Sequence, residues 1–255
     1  MMSNVPDAID ALVGISSESA VAALRRQRPE VVQYAQSSYE TSQLGQEASK
    51  IEEIEAFPDD AQLSPRLSAM LRHVDLLSQQ PAAATPADLA PLQAAGFSTR
   101  NIVTLSQLIA FLSFQTRIVT ALQLLAGTLE TMPNNHPHSW QPRPIYHAHQ
   151  GFTLEALGWN AWLDTVKLDD ATPEQVAVLE ESTPTAKTSP YYLLLVQDVD
   201  VLRARSRLYN AIMYGPRGLA RADRELGALA VSRINGCPYC ASIHAQRFAQ
   251  LTKQP

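Results

Sequence analysis

The chain has 255 residues, of which 45% are apolar and 18% are charged. That is enough to bury a substantial core in one large or two small domains. The net charge is -5, with 20 Lys and Arg against 25 Asp and Glu and no basic block, which argues against nucleic acid or an anionic membrane surface as a partner. Because no signal-peptide pattern is visible and the most apolar stretch, 108–114, is too short to span a bilayer, we expect a cytoplasmic protein.

Helical periodicity runs through most of the chain and predicts an all-α fold. Apolar residues at helical spacing indicate a first helical region over 20–43, and a short polar helix follows within 44–60. Three later helix starts share a capping hydroxyl in front of a first-turn proline, at Ser64-Pro65, Thr85-Pro86 and Thr172-Pro173. Ser98 then opens the longest apolar helix, which we expect to run to Gly127 and to lie in a core or at a subunit interface.

Residues 131–150 differ from the rest of the chain because they hold four prolines and four histidines with little periodicity. Such a stretch is typical of a linker, so we expect one helical unit over 1–130, without cysteines, and a second over 151–255. The four histidines are interpreted as solvated polar residues, since no carboxylate spacing accompanies them. Within the second unit, a helix is predicted from Tyr191 to Tyr214.

A helical hairpin is predicted over residues 220–248. Its first helix covers 221–235, where Gly236 suits the left-handed turn that ends a helix. Pro238 fits the first position of the next helix, which makes Cys237 its N-cap and places Cys240 in its first turn. The first helix has an apolar stripe formed by Leu226, Leu229, Ala230 and Ile234.

The hairpin holds the only two cysteines of the chain. Unpaired N–H groups and the dipole at a helix start favour a thiolate, and Cys237 and Cys240 are close enough in sequence to form a disulfide within one turn. His244, one turn beyond Cys240, can exchange a proton near neutral pH. Glu225, in the preceding helix, can orient that imidazole. Nucleophile, base and orienting group are therefore all present.

The run Glu225-x11-Cys237-Pro238-Tyr239-Cys240-x3-His244 resembles the active-site hairpin of the AhpD-like alkylhydroperoxidases in the carboxymuconolactone decarboxylase superfamily. Four functional residues agree at three fixed spacings. The resemblance implies an AhpD-like helical bundle. Because the decarboxylase branch lacks the cysteine pair, it also implies redox chemistry rather than lactone decarboxylation.

Carried over residue by residue, the resemblance implies a peroxidase in which Cys240 attacks the peroxide and Cys237 resolves the sulfenic acid to a disulfide. His244 is then the base and Glu225 its partner. The disulfide needs an external dithiol, which in the resembling family is a lipoyl group on a partner protein. No organic cofactor motif is visible. The chain departs from the best-studied members at Tyr239, where they have a histidine, and this alters the proton relay.

In the resembling family several helices follow the hairpin, whereas only residues 245–255 follow His244 here. Residues 62–127 look like those helices placed earlier in the chain. We therefore expect a rearranged core built from two half-units, with the helix from Ser98 packed against the Glu225 and Cys240 helices within one chain or between subunits of a homo-oligomer. The alternative is a truncated or fused reading frame whose hairpin is only partly covered.

Other functions remain open for the hairpin. A general thiol-disulfide oxidoreductase would keep both cysteines without needing Glu225, and a non-catalytic helical scaffold would need neither cysteine. The cysteines could also be small buried residues. A zinc site built from Cys237, Cys240, His244 and Glu225 is a further alternative, although structural zinc sites usually carry two cysteine or histidine pairs and no second C-x-x-C exists.

Overall fold

The protein is all-helical over the residues that its computed structural model describes, which are 64–126, 152–155, 157–216 and 218–253. These residues form eight α-helices and four short 3-10 turns, and no strand lies among them. This confirms the predicted fold class. The helices are α1 (Pro65–Gln79), α2 (Ala90–Ala94), α3 (Thr99–Ala126), α4 (Pro173–Ser182), α5 (Pro190–Leu195), α6 (Val199–Tyr214), α7 (Arg221–Ile234) and α8 (Pro238–Thr252).

Several sequence-based predictions lie outside the described residues. These are the helical regions over 20–43 and 44–60 and the linker over 131–150. The division of the chain at that linker therefore stays a prediction. By spatial grouping, residues 64–110 and 142–255 form one compact unit, and residues 1–63 and 111–141 form another. Except where α3 extends beyond residue 110, everything described below belongs to the first unit.

The predicted helix starts are found where the capping pattern placed them. Ser64 Oγ accepts a hydrogen bond from the Leu67 N–H at the start of α1, and Thr172 forms a capping box at the start of α4. The Thr85-Pro86 start opens a 3-10 helix, Pro86–Leu89, rather than an α-helix. In each case a side-chain oxygen satisfies a backbone N–H that has no partner inside the helix.

The prediction of one helix from Tyr191 to Tyr214 is wrong, because the structure has two helices there, α5 and α6. The break is at Asp198, which is extended and caps α6 by accepting from the Val201 N–H. Its carboxylate also accepts from the Thr104 hydroxyl at 2.6 Å, and Arg100 lies 3.9 Å away. Asp198 therefore fixes the start of α6 to the first turns of α3.

Two adjacent residues of α3 are buried in two different hydrophobic clusters. Ile102 packs in a cluster with residues of α1 and α2. Val103 packs in a second cluster with residues of α4, α5 and α6. In the sequence α3 precedes residues 127–151, and it therefore shares a hydrophobic cluster with helices that follow them. The expected packing of α3 against the α7–α8 hairpin is a separate matter and stays a prediction.

One helix among the described residues, Thr99–Leu122, is long and apolar enough to cross a membrane by length and composition alone. The sequence reading had considered only its most apolar stretch, 108–114. Core helices pass the same test, and Ile102, Val103 and Ile109 of this helix are buried inside the protein. A single such helix is weak evidence for a membrane span.

Most of the apolar stripe of α7 is exposed. Ile234 is 79% exposed and Leu226 is 47% exposed, whereas Glu225 is fully buried and Ser232 nearly so. Leu229 is the member of the stripe that lies on the same face of the helix as Glu225 and is partly buried. The apolar pattern alone therefore does not identify the buried face of α7. The buried face of α7 is chosen by the polar contacts of Glu225, which are described next.

Candidate active site

The turn between α7 and α8 is a complete Schellman motif. Gly236 has φ 66, in the left-handed region that the sequence predicted. The Cys237 N–H donates to the Ser232 carbonyl and the Gly236 N–H donates to the Arg233 carbonyl, which is the paired bonding that defines this motif. A Cβ on Gly236 would stand 2.5 Å from the Ala82 Cβ. The turn is therefore held tightly against the 3-10 turn Pro81–Ala83.

This turn places Cys237 at the N-cap of α8, as predicted. Its Sγ accepts a hydrogen bond from the Cys240 N–H at 3.3 Å, and Pro238 occupies the first helical position. The Sγ atoms of Cys237 and Cys240 lie 2.6 Å apart, and both cysteines are free and partly buried. Since an S–S bond is about 2.05 Å long, the pair can close to a disulfide without a backbone rearrangement.

The two sulfurs differ in their acidity. A hydrogen bond from Cys240 and backbone N–H groups at the helix start, working against burial, lower the pKa of Cys237 to about 7. The hydrogen bond with Cys237, together with burial, raises the pKa of Cys240 above its ordinary value. These hydrogen bonds therefore favour a thiolate on Cys237 over a thiolate on Cys240.

Glu225 is completely buried and is surrounded by positive groups. Its Oε2 lies 2.5 Å from His244 Nδ1, and its Oε1 accepts from the Arg221 guanidinium. Arg247 Nη1 is 4.0 Å away. Burial alone would raise the pKa of Glu225, but the hydrogen bonds and charges of His244 and Arg221 outweigh it and hold the pKa below its usual value. Glu225 is therefore a carboxylate.

The ionisation of Glu225 determines which nitrogen of the His244 ring carries a hydrogen. An ionised carboxylate can only accept hydrogen bonds, so His244 Nδ1 must carry the hydrogen that it shares with Glu225. The other ring nitrogen, Nε2, is then the one that can accept a proton. Because His244 follows Cys240 by one turn of α8, the two side chains lie on the same face of that helix.

A cluster of aromatic rings and one arginine lies beside the cysteines. Tyr191 and Tyr192 of α5 hydrogen bond to Arg205 of α6. The Trp159 ring is 5.6 Å from Tyr191 and 6.4 Å from Tyr239. Tyr239, which the sequence marked only as a departure from the family pattern, thus belongs to this cluster.

The structure brings together the predicted residues in two pairs, Cys237 with Cys240 and Glu225 with His244. Their catalytic roles stay a prediction. The sequence reading missed Arg221 as a partner of Glu225, although the spacing of four residues on one helix is the usual signal for such a pair. It also missed Arg205 and Tyr191, since they lie on other helices and no spacing connects them to the hairpin.

The alternative of a metal site finds no support in the described part of the chain, where no group of three or more His, Cys, Asp or Glu side chains is arranged to hold a metal ion. The histidines of the 131–150 segment are not among these residues.

Comparison with known proteins shows that the site lies in a stretch similar to a known family. Residues 200–252, which contain α7, α8 and nearly all of α6, match the model of the Carboxymuconolactone decarboxylase family. This confirms the resemblance that the hairpin residues indicated. No curated protein and no solved structure matches the sequence.

Proposed function

We propose that the protein, whose hairpin matches the model of the Carboxymuconolactone decarboxylase family, is an enzyme that reduces alkyl hydroperoxides or hydrogen peroxide with its cysteine pair. The observation that carries this proposal is the 2.5 Å contact between Glu225 and His244, one helical turn from Cys240. A buried carboxylate that orients an imidazole beside a thiol is the arrangement that activates a nucleophile.

The first chemical step removes the proton of the Cys240 thiol, with His244 Nε2 or the Cys237 thiolate as the acceptor. The Cys240 thiolate then attacks the terminal oxygen of the peroxide. An S–O bond forms, the O–O bond breaks, and the leaving alkoxide or hydroxide takes a proton to give an alcohol or water. The sulfur is oxidised to a sulfenic acid by two electrons, which reduce the peroxide.

In the second step Cys237 reacts as the thiolate; where it took the Cys240 proton in the first step, it gives that proton to the alkoxide or hydroxide that leaves the peroxide. The Cys237 thiolate attacks the Cys240 sulfenic acid, the S–O bond breaks, and hydroxide leaves as water after it takes a proton. Because the two Sγ atoms lie 2.6 Å apart, the disulfide can form without a large movement of either cysteine. An external dithiol, for which a lipoyl group on a partner protein is our first candidate, reopens the disulfide by exchange and returns both thiols.

Glu225 acts in this scheme by orienting His244 and by stabilising the imidazolium that forms when the ring takes a proton. It does not itself need to be protonated, because Arg221 and His244 both favour its charged form. We place the reaction in the cytoplasm and in a homo-oligomer, as the sequence led us to expect.

The direct test is peroxide consumption with an excess of a small dithiol. The wild type should consume hydroperoxide catalytically, whereas Cys240→Ser should lose activity by at least about 100-fold because the attacking sulfur is gone. The Ser242→Ala variant is a matched control, since Ser242 lies two residues further along α8 and plays no part in the scheme. If Cys240→Ser retains wild-type activity, the proposal is wrong.

A second candidate is a general thiol-disulfide oxidoreductase. The observation that favours it is the Cys237 thiolate at the start of α8, which is the usual attacking group in C-x-x-C exchange proteins. The Glu225→Gln variant distinguishes the two functions. A peroxidase should lose about 10- to 100-fold in peroxide turnover, as expected for a disturbed acid–base group, whereas reduction of a small disulfide should be nearly unaffected. Equal and small effects on both reactions would favour the second candidate.

A further inference from the structure

The two oxygens of the Glu225 carboxylate have different partners. Oε2 lies 2.5 Å from Nδ1 of His244. Oε1 accepts a hydrogen bond from Nε of Arg221 at 2.9 Å and a second one from Nη2 of the same guanidinium. Arg221 is the first residue of α7 and stands one turn before Glu225. With Oε1 bound to Arg221, the carboxylate presents Oε2 to His244.

Arg221 is in turn held by Tyr214, the last residue of α6. The guanidinium of Arg221 lies over the Tyr214 ring, 4.0 Å from the ring centre, which is the geometry of a cation–π contact. The Tyr214 hydroxyl accepts a hydrogen bond from Nη1 of Arg247 at 3.4 Å. That nitrogen is 4.0 Å from Glu225 Oε1. Tyr214 therefore contacts both arginines that lie beside the carboxylate.

The end of α6 is bonded to the first turn of α7 by Arg224. Its Nη1 donates to the Gly215 carbonyl at 2.7 Å and to the Ile212 carbonyl at 3.0 Å. Carbonyls at the end of a helix have no partner inside it, so a side chain that binds them fixes the helix end. Because Arg224 belongs to the same helix turn as Arg221, these bonds keep Tyr214 beside Arg221.

The charge of Arg221 has a consequence for His244. The guanidinium offsets the negative charge of Glu225, and the two groups interact strongly because Glu225 is fully buried. A carboxylate that loses its counter-charge attracts a proton more strongly, and the imidazole bonded to Oε2 can take that proton. An imidazole that already carries the extra proton cannot accept one from Cys240.

Other charged or titratable groups also lie around this pair. Those that α6, α7 and α8 contribute among the described residues are Tyr209, Tyr214, Arg221, Cys240 and Arg247. Burial raises the pKa of Tyr209, so its hydroxyl is uncharged near neutral pH. Arg221 is the nearer of the two cations, since it donates directly to Oε1 and Arg247 lies 4.0 Å away.

We infer that Arg221 is a positioning residue that binds Glu225 Oε1, with the Tyr214 ring beneath its guanidinium, and so keeps His244 on Oε2 and ready to accept a proton. This inference rests on the proposed function, in which His244 is the base. Arg221 exchanges no proton and no electron in this role, because it acts through Glu225. It determines the pH range in which the base is available.

The test is an NMR titration of the His244 ring, whose signals report the uptake of a proton by the coupled Glu225–His244 pair. These signals are identified as the ones that are missing from the spectrum of His244→Gln. In Arg221→Met the midpoint of proton uptake should move upward by about one pH unit, a tenfold gain in proton affinity, because the carboxylate loses its counter-charge.

Two further variants serve as controls. Arg221→Lys keeps the positive charge, and its proton affinity should stay within about a factor of three of the wild type. Arg203→Met removes an arginine of α6 that pairs with the exposed carboxylates of Glu174, Glu181 and Asp200. It should leave the midpoint unchanged.

Tyr214→Leu provides a second route to the same answer, because it keeps both arginines and removes the ring beneath Arg221. The proton affinity should rise by a smaller factor, about two- to threefold. An unchanged or lower midpoint in folded Arg221→Met, or in Tyr214→Leu if the methionine variant does not fold, overturns the inference. Because no peroxide is used, the result does not depend on peroxidase activity, which the Cys240→Ser comparison tests separately.

Discussion

At the level of single residues, the proposed reaction divides its two tasks between two sulfurs. Cys237 accepts a hydrogen bond from the helix start, which favours its thiolate, and Cys240 lies one turn before His244. Glu225 is held as a carboxylate by Arg221 and His244. The charge of Glu225 and the lowered pKa of Cys237 therefore follow from local contacts of α7 and α8.

These charge states predict a specific pH dependence for Cys237. Because its pKa is lowered to about 7 from an ordinary value of 9.0, the thiolate should be half formed near pH 7, with reactivity rising as the pH rises through that value. Replacing Cys240 by serine keeps a hydroxyl that can donate to Cys237, whereas replacement by alanine removes the donor. We expect the midpoint to stay near 7 in Cys240→Ser and to move upward in Cys240→Ala.

The absorbance of the thiolate during a pH titration, with Cys237 as the sole cysteine in either variant, measures this midpoint. A midpoint at the ordinary value of 9.0 in both variants would mean that neither the helix start nor the neighbouring donor acts on Cys237.

The sequence predicted the residues of the hairpin well because their spacing within two helices determines their contacts. Cys237 at the N-cap follows from Gly236 and Pro238, which specify a turn and a helix start wherever they occur. Arg205 could not be predicted in this way. It donates hydrogen bonds to Tyr191 and Tyr192 of α5, and no spacing within one helix encodes a contact between two helices.

At the level of helices, the caps were predictable and the buried faces were not. Serine or threonine before proline marked the starts of α1 and α4 correctly, since capping is a local interaction. The apolar pattern of α7 did not indicate that the carboxylate of Glu225, paired with Arg221, is buried on that helix. The break between α5 and α6 was also missed, since Asp198 is fixed by Thr104 from a distant part of the chain.

The α7–α8 turn gives the sharpest prediction at this level. Gly236→Ala should lower the free energy of unfolding by about 2–4 kcal/mol, because alanine is strained at φ 66 and its Cβ would collide with Ala82. Gly227→Ala is the matched control. Gly227 lies inside α7 with nothing within 4 Å of an added Cβ, so the same substitution should stabilise the protein by about 0.5–1 kcal/mol.

Urea denaturation of both variants measures these free energies. Equal effects at the two positions would mean that the turn is not seated against the 3-10 turn Pro81–Ala83, and the placement of Cys237 would then lose its structural basis.

At the level of the whole molecule, the site is carried by a unit whose core combines early and late parts of the chain. Val103 from α3 is buried among residues of α4, α5 and α6. The all-α class was predictable from periodicity alone. The sharing of a core between these segments was not, since it depends on long-range contacts that a single sequence does not specify. Complementation between α3 and the hairpin, within a chain or between subunits, stays a prediction.

The proposed function is tested on the whole molecule. A single turnover tests it without any assumption about the reductant. One equivalent of hydroperoxide is added to the fully reduced protein, and the state of each sulfur is read by mass spectrometry, with dimedone present to trap sulfenic acid.

We predict that the wild type gives a disulfide between Cys237 and Cys240, and that Cys237→Ser gives a dimedone adduct on Cys240. If the peroxide leaves both sulfurs unoxidised, or if the adduct forms on Cys237 in Cys240→Ser as fast as on Cys240 in Cys237→Ser, the account is contradicted.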